Sequence, residues 1–349
     1  MQKRERSLAV LPSITAIIPA YNEAASIADT LRSLQRQTRA LTEIIVVDDC
    51  SEDNTGEIAR SLGATVHRPL QNTGSKAGAQ TYALRFVRTE YCMAIDADTE
   101  LAPDAVEKLI GAMVDKSVAA ACGFVLPRSV RTIWERGRYI EYLFAFTFYK
   151  PIQDFFEKPL ISSGCFSAYR TDILRQVGGW SNRTMAEDMD LTWTLYRQGH
   201  RVRFVPDAVC YPIEPHNLHF LSKQLRRWSH GFIQNVRLHW RDVLEEPYLR
   251  SALAVGFWDA TIASLAYLVL LPVLAVSVHP LFLLGYVVDL PAVAIPVIVA
   301  GMKKGELGRV LASLPCFVVM RLVNSYFMLR AVWSELVMGR TLLVYEKGH

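Results

Sequence analysis

The sequence predicts an α/β domain with a mostly parallel central sheet, followed by interface helices and a helical membrane region. Two observations predict this division. Short β-rich runs alternate with helix-length segments over the first 100 residues, a pattern typical of βαβ units. Charged residues then become sparse, since only 12 of the 72 Asp, Glu, Lys and Arg residues follow position 250. We therefore expect one domain over residues 1–245 and a membrane region over residues 246–349.

Four strands are expected in the first domain, and polar residues follow several of them. The predicted strands are 14–19, 43–47, 64–67 and 91–95, and the predicted helices between them are 24–37, 55–62 and 77–87. Gly63 is expected to end the second helix, because glycine adopts the left-handed backbone that closes helices. Open α/β sheets bind ligands beyond the carboxyl ends of their strands, so we expect a site at that edge.

The carboxyl-terminal region contains two stretches with the composition of membrane helices. Residues 260–278 carry no formal charge, and residues 280–302 carry only Asp289. Each is long enough to cross the hydrocarbon core of a bilayer, so we predict a membrane hairpin. A third segment, residues 310–338, is apolar but contains Arg321, Arg330 and Glu335. It is expected either to span with its charges facing protein or water, or to lie at the interface.

Basic residues predict the orientation of this hairpin. Lys303, Lys304 and Arg309 follow its second helix, which places that loop and the first domain in the cytoplasm by the positive-inside rule. We therefore predict a multi-pass protein of the inner (cytoplasmic) membrane. Residues 1–13 are charged and lack an apolar core, so we expect no signal peptide.

The basic stretch 223–241 indicates the class of binding partner, and the cysteines indicate the redox compartment. The stretch is rich in Lys, Arg and aromatic residues, and beside an apolar segment this pattern favours anionic lipid headgroups over nucleic acid. The six cysteines form no Cys-x-x-Cys pair, which argues against a zinc site or a disulfide framework and suits a reducing cytoplasm. They are Cys50, Cys92, Cys122, Cys165, Cys210 and Cys316.

Asp96-Ala97-Asp98 directly follows an apolar strand. Two carboxylates at a strand end suit a hard cation such as Mg²⁺ or Mn²⁺, which prefers oxygen ligands and would neutralise a diphosphate leaving group. The alternative is a solvated turn or a helix cap. Asp48 and Asp49 follow an earlier strand and would accept hydrogen bonds from a nucleoside, unless they cap the helix near Thr55.

Glu187-Asp188 forms a third acidic pair, in a segment that also contains Asp190. A carboxylate there is a candidate general base for an acceptor hydroxyl. The alternative is an acidic helix start that is stabilised by the helix dipole.

Gln224, Arg227 and Trp228 fall near one face of a predicted helix. Guanidinium pairs with pyrophosphate, and indole stacks on sugar rings. A membrane-surface basic helix would need neither the Gln nor the Trp at this spacing. Lys76 in a Gly-flanked loop is a further phosphate candidate, and its alternative is a solvated lysine.

Taken in order, these motifs resemble glycosyltransferase family 2, in particular its membrane-bound synthases of poly-N-acetylglucosamine, chitin-oligosaccharide, hyaluronan and cellulose. The resemblance runs from about residue 14 to residue 231, and more weakly beyond. Its motifs are residues 17–23, 46–53, Lys76-Ala77-Gly78, Asp96-Ala97-Asp98, Ser163-Gly164-Cys165, Ala186-Glu187-Asp188 and residues 224–228.

The resemblance implies a GT-A fold and a role for each matching position. Asp188, with Glu187, would be catalytic, Asp188 as the base, and Asp96 and Asp98 would hold the metal. Ser163, Gly164, Cys165 and Trp228 would lie near the acceptor. The donor would be bound at Pro19, Tyr21, Glu23, Asp48, Asp49, Lys76, Asp96, Gln224, Arg227 and Trp228.

The expected activity is a metal-dependent, inverting transfer from a UDP-sugar, with UDP-N-acetylglucosamine or UDP-glucose favoured, to a growing glycan in a β-linkage. The alternatives are addition of one sugar to a lipid or protein acceptor, a nucleotidyltransferase, and a non-catalytic membrane scaffold. With two or three membrane segments, one chain would hardly enclose a polymer channel. The expected partners therefore include membrane lipid, a glycan or lipid-linked acceptor, and a second copy or an accessory membrane subunit.

Overall fold

The computed structural model describes residues 12–342, so residues 1–11 and 343–349 lie outside the described part. Within it, eight strands form one mixed sheet in the order β3-β2-β1-β4-β7-β6-β8-β5. The strands are β1 Ile14–Ala20, β2 Glu43–Asp48, β3 Thr65–His67, β4 Tyr91–Ile95, β5 Thr99–Leu101, β6 Val118–Val125, β7 Phe166–Arg170 and β8 Arg201–Pro212.

The predicted mostly parallel sheet is confirmed. Strands β3, β2, β1 and β4 pair in parallel, and β6 pairs in parallel with β8. The exceptions are β7, which is antiparallel to both of its neighbours, and β5, which is antiparallel to β8. The four predicted strands match β1 to β4 within one residue at each end.

Thirteen α-helices lie along the described chain. They are α1 Ile27–Gln35, α2 Thr55–Ser61, α3 Lys76–Leu84, α4 Ala105–Gly111, α5 Ile133–Phe144, α6 Lys150–Phe155, α7 Thr171–Gln176, α8 Glu187–Arg197, α9 Leu218–Glu245, α10 Pro247–Trp258, α11 Leu271–Ser277, α12 Leu290–Lys304 and α13 Leu307–Val332. Turns of π-helix or 3₁₀-helix extend or join several of them. Gly63 has a left-handed φ of 79° directly after α2, as predicted.

The two faces of the sheet carry separate apolar cores. In β1, Ala16 and Ile18 pack in the cluster that includes α1, whereas Ile17 packs in the cluster that includes α3. This alternation is the two-residue period of a strand with both faces covered. Val297 and Phe317 of the carboxyl-terminal helices belong to the α1-side cluster, so these helices share a core with the sheet.

Three helices in the described part are long and apolar enough to cross a membrane: Pro247–Ser277, Pro280–Lys304 and Leu307–Val337. The two predicted stretches and the third segment are therefore helical, and the first helix begins earlier than expected. In an apolar 18-residue stretch of each of the first two helices only 17% and 11% of the stretch is buried, against 33% in the third. The third helix differs because it packs against α5 and α9.

Two of the three charged residues of the predicted third segment, Arg321 and Glu335, contact protein groups, whereas Arg330 is exposed. Arg321 pairs with Asp259 at 2.7 Å and with Asp289 at 3.1 Å. Glu335 is buried, and its Oε1 lies 2.7 Å from both His230 Nδ1 and Gln234 Nε2. Whether this helix spans the bilayer or lies at its surface stays a prediction.

Candidate active site

The loops that follow β1 and β2 are joined to each other at the carboxyl edge of the sheet. The Asn22 N–H donates to Ser51 Oγ at 3.0 Å, and the Glu23 N–H donates to Thr55 Oγ1 at 2.7 Å. Tyr21 is 38% exposed at this edge, one residue after the end of β1. The predicted groups around Pro19, Tyr21 and Glu23 therefore lie beside those that follow β2.

Asp48 and Asp49 are buried, and protein groups bind both of them. Asp48 accepts from the Ser51 N–H at 2.9 Å and from Arg68 at 2.8 Å. Asp49 accepts from the N–H and the hydroxyl of Thr73, each at 2.8 Å. The helix-capping alternative does not describe this pair; instead, these carboxylates fix the shape of the edge.

Lys76 brings three of the predicted motifs together. It is the first residue of α3, whose N-cap Ser75 accepts from the Gly78 N–H. Its ammonium forms an ion pair with Asp96, donates to the Gly164 carbonyl at 3.1 Å and lies 3.8 Å from Glu187 Oε1. The solvated-lysine alternative is therefore wrong, since the ammonium lies among groups from the end of β4, from the loop of residues 163–165 and from α8.

Asp96 and Asp98 follow β4, and both are partly exposed. No cluster of three His, Cys, Asp or Glu side chains suited to a metal occurs among residues 12–342. Mg²⁺ is commonly held by one or two carboxylates, with water and substrate phosphates as the other ligands. The Asp96 carboxylate already pairs with a cationic ammonium, so the two aspartates fit such an ion.

The three acids at the start of α8 point to different partners. Asp188 Oδ2 accepts from the Gly164 N–H at 2.9 Å, which places it against the loop of residues 163–165. Glu187 faces Lys76. Asp190 is 1% exposed and lies 2.7 Å from both Arg183 and His239. The helix-dipole alternative therefore describes only part of this segment, because the side chains of Glu187 and Asp188 reach the site.

The electrostatic environments of these acids differ as well. Burial raises the pKa of the Glu187 carboxyl, Asp188 raises it further, and Lys76 and Arg227 act against both. Burial also acts to raise the pKa of Asp190, but hydrogen bonds from His239 and Arg183 leave it below its usual value. A raised pKa in a cleft is typical of functional groups, whereas Asp190 is a stably ionised structural acid.

Helix α9 holds the acidic segment against the site. A Cβ on Gly231 would lie 2.7 Å from the Cβ and N of Ala186, so only glycine allows this approach. Asn235 donates to the Ala186 carbonyl at 3.0 Å, and Gln234 Oε1 accepts from the Met185 N–H at 2.8 Å. The residue before Glu187 is thereby fixed on both sides.

The predicted helix motif lies on the same helix. Arg227 is close enough to Glu187 to act on its pKa. Trp228 is 36% exposed, and the Arg138 guanidinium lies 4.5 Å from its ring. The Gln224 Oε1 atom is buried, and no residue in the described part of the chain donates to it, so it is available to a ligand donor.

The loop of Ser163, Gly164 and Cys165 closes the site from the side of β7. A Cβ on Gly164 would meet Lys76 Nζ at 3.1 Å and Asp188 Oδ2 at 3.2 Å, so a larger residue would separate these groups. Lys150 approaches Ser163 Oγ at 3.3 Å from the core. Between residues 73–77 and residues 182–187 there is a pocket of about 200 Å³.

Sequence reasoning missed several residues that build this edge. Arg68 and Thr73 hold the two buried aspartates, and no local pattern marked them. Gln234 and Asn235 could have been found, because they lie seven residues after Arg227 and Trp228 and so continue the same helical face. The six cysteines are all free, as expected.

Comparison with known proteins finds a family match for the first half of the chain. Residues 15–178 match the family model described as glycosyl transferase family 2. The poly-beta-1,6-N-acetyl-D-glucosamine synthase of Staphylococcus aureus is 29% identical over 225 residues, which cover 63% of this chain and 55% of the synthase. An uncharacterised glycosyltransferase of Escherichia coli K12, YaiP, is 32% identical over 245 residues, which cover 65% of this chain and 58% of that protein.

Among solved structures, the mannosyltransferase PcManGT from Pyrobaculum calidifontis, in complex with GDP-Man and Mn²⁺, aligns over 94% of this chain and 88% of its own. The TM-score is 0.65 and the identity is 20%, so the likeness concerns the fold. The predicted GT-A fold is confirmed. The chain spans little more than half the length of the two relatives it matches in sequence.

Proposed function

We propose that this chain, whose residues 15–178 match the glycosyl transferase family 2 model, is a metal-dependent, inverting enzyme that moves a sugar from a UDP-sugar to a growing glycan at a membrane. UDP-N-acetylglucosamine and UDP-glucose are the favoured donors. The observation that carries the proposal is the convergence of Asp96, Lys76, Glu187 and Asp188 at one edge of the sheet.

The donor would lie along the carboxyl edge of β1, β2 and β4. Its nucleoside would meet the exposed ring of Tyr21 and the loops fixed by Asp48 and Asp49. Its diphosphate would lie near Lys76, Arg227 and the buried Gln224 Oε1, which is an acceptor for a sugar hydroxyl. Cations at this position favour a polyanionic donor because they neutralise its charge.

Asp96 and Asp98 would hold Mg²⁺ or Mn²⁺ together with oxygens of the donor diphosphate. When bound, the ion neutralises negative charge on the departing nucleotide. The ammonium of Lys76, now paired with Asp96, would shift to a diphosphate oxygen as the donor enters. The aspartates therefore lose one cationic partner and gain another.

Asp188 would take the proton from the acceptor hydroxyl. Its Oδ2 is fixed by the Gly164 N–H, on the side where the acceptor loop meets the donor edge. The hydroxyl oxygen then attacks the anomeric carbon, the bond from that carbon to the diphosphate oxygen breaks, and UDP departs. One displacement inverts the configuration, so an α-linked donor gives a β-linked product. Glu187, whose pKa is raised, would stay close to Lys76, and its protonation state would set the net charge of the pocket.

The acceptor would approach between the Ser163–Cys165 loop and Trp228, beside the helices that meet the bilayer. Three helices long and apolar enough to cross a membrane adjoin this side of the domain. We propose that the protein lies in the cell inner membrane and that the site faces the cytoplasm. A lipid-linked acceptor and a second copy or an accessory subunit are part of the same proposal.

The second candidate function is addition of a single sugar to a lipid acceptor. The observation that favours it is that the three apolar helices in the described part are too few to surround a polymer channel. In either case the same acids carry the chemistry.

A donor screen tests both candidates. Purified protein in detergent with Mn²⁺ or Mg²⁺ is given UDP-glucose, UDP-N-acetylglucosamine, UDP-galactose or UDP-glucuronate, and UDP release and product size are measured. A ladder of long products identifies glycan elongation, and single-sugar products identify the lipid-acceptor alternative. No release with any of these donors, with lipid supplied, contradicts the UDP-sugar proposal.

A further inference from the structure

A buried arginine lies directly behind Trp228. The guanidinium carbon of Arg138 is 4.5 Å from the centre of the Trp228 ring and 4.6 Å from the centre of the Tyr142 ring. Guanidinium groups stack favourably on aromatic faces. Arg138 is 4% exposed and Trp228 is 36% exposed, so the arginine covers the inner side of the indole while part of its surface stays open.

Two carboxylates and a phenol fix the plane of this guanidinium. Arg138 lies 2.6 Å from Glu141 and 3.3 Å from Glu214, and it donates to the Tyr142 hydroxyl at 2.9 Å. That hydroxyl donates in turn to Glu214 at 2.8 Å. A guanidinium bonded at several of its nitrogens cannot rotate freely, so the ring stacked on it is also held.

This stack lies between the metal-binding candidates and the third apolar helix. Glu214 follows Ile213, whose N–H donates to the Asp98 carbonyl at 3.2 Å. On the other side, Asn324 of the third helix contacts Glu141. The guanidinium that stacks on the indole is therefore linked through Glu214 and Glu141 to both the donor edge and the third apolar helix.

We propose that Arg138 is a positioning residue that fixes the indole of Trp228 as a platform for the acceptor sugar, an inference that rests on the proposed glycosyl transfer. Aromatic rings bind the apolar face of a sugar by stacking, and this works only when the ring is held in the right plane. Arg138 does not touch the acceptor. It acts through the ring that does.

A purely structural role predicts something different. If Arg138 serves only to neutralise Glu141 and Glu214, its loss lowers stability without a selective effect on the acceptor. The two roles separate in the Michaelis constants, because a positioning role changes the acceptor KM and leaves UDP affinity intact.

The test uses the full chain in detergent with the donor that the screen identifies, and chitopentaose or cellopentaose as acceptor. Arg138→Met is expected to raise the acceptor KM about tenfold, Arg138→Lys less, and neither is expected to change the Kd for UDP. In a Trp228→Ala background, Arg138→Met is expected to add no further loss. An unchanged acceptor KM, or an undiminished effect in that background, would overturn the proposal.

Arg170→Met is the matched control. Arg170 is also a largely buried arginine, lies 5.3 Å from the Tyr91 ring and pairs with Glu90 at 3.7 Å, but it lies beside the first residue of β4, at the end of the strand opposite to the site. It is expected to leave the acceptor KM unchanged. An equal rise in acceptor KM in this variant would mean that the effect is general loss of packing.

A second readout works without turnover. The contribution of Trp228 to the fluorescence is taken as the difference between a protein and its Trp228→Phe variant. Acrylamide quenching of this contribution is expected to increase in Arg138→Lys. This variant keeps the positive charge, so it can be used if Arg138→Met does not fold. Unchanged quenching would contradict the positioning role even if transfer is observed. Wild-type protein that uses no donor would sink the proposed function, while the quenching result would still decide the role of Arg138.

Discussion

The donor side of the site and the side of α9 (the helix side) differ in how far their charged side chains are exposed. The side chains of the Lys76–Asp96 ion pair are 15% and 30% exposed. The side chains of Asp190 and Glu335, which contact α9, are only 2% and 1% exposed. Both regions are rich in charge. Partly exposed pairs exchange partners with a ligand at lower cost than fully buried pairs, because a fully buried ion that loses its partner is left uncompensated. The donor side is therefore suited to ligand exchange and the helix side to holding the acids in place.

The largest effect is expected for Asp188→Asn. Loss of the general base should lower kcat by about 10²–10⁴-fold, while the Kd for UDP stays near that of the wild type because Asp188 lies on the acceptor side. Isothermal titration with UDP and initial rates measure the two quantities. Wild-type turnover in this variant would show that another group is the base.

Gly231→Ala tests the rigidity of the helix side. The added methyl would lie 2.7 Å from Ala186, so α9 or the acidic segment must move, at a cost of roughly 1–3 kcal/mol in the free energy of unfolding. We expect a lower melting temperature and a lower kcat together. Gly308→Ala is the control, since its Cβ would meet nothing within 4 Å. Equal effects in the two variants would refute this role of α9.

Lys76→Met tests the exchangeable side. Donor affinity is expected to fall about tenfold, because one cation near the diphosphate is lost. Lys76 opposes the burial effect on the pKa of Glu187, so its removal raises that pKa further. The acid limb of the kcat–pH profile should then move to higher pH. An acid limb that stays in place or moves to lower pH would show that the protonation of Glu187 does not control kcat.

The smallest effect is expected from Glu214→Gln, measured as a change in how the melting temperature depends on pH. Burial raises the pKa of Glu214 above its ordinary value of 4.5, and Arg138 acts against it. The folded state therefore keeps a proton that the unfolded chain releases, and stability is lost as pH rises from 4.5 through the raised pKa. The variant should lack this loss in melting curves recorded across pH. The same slope in both proteins would contradict the burial effect.

The comparison also shows which parts of the structure were predictable from the sequence. Strands β1 to β4 and the acids that follow them were predictable, because apolar runs, helical periodicity and polar strand ends are local signals. Topology then brings Asp96 and Lys76 together. The antiparallel strand β7 was missed, since its place beside β4 depends on partners far away in the sequence.

Arg138 and Glu214 were not predictable for the same reason. They belong to α5 and to the chain after β8, and they meet only in the folded protein. The contact of Glu335 with His230 was likewise not predictable from the sequence. In the sequence, the charge of Glu335 indicated only that the third segment is less suited to cross a membrane. The roles of Tyr21, Lys76, Asp98, Asp188 and the other site residues stay predictions that the variants above address.

The most direct test of the proposed chemistry is the anomeric configuration of the product. Product made from an α-linked UDP-sugar that the screen identifies is examined by proton NMR, alongside the reaction of Asp188→Asn. The expected result is a β-linked product from the wild type and far less product from the variant in the same reaction time. An α-linked product would contradict a single displacement with Asp188 as the base.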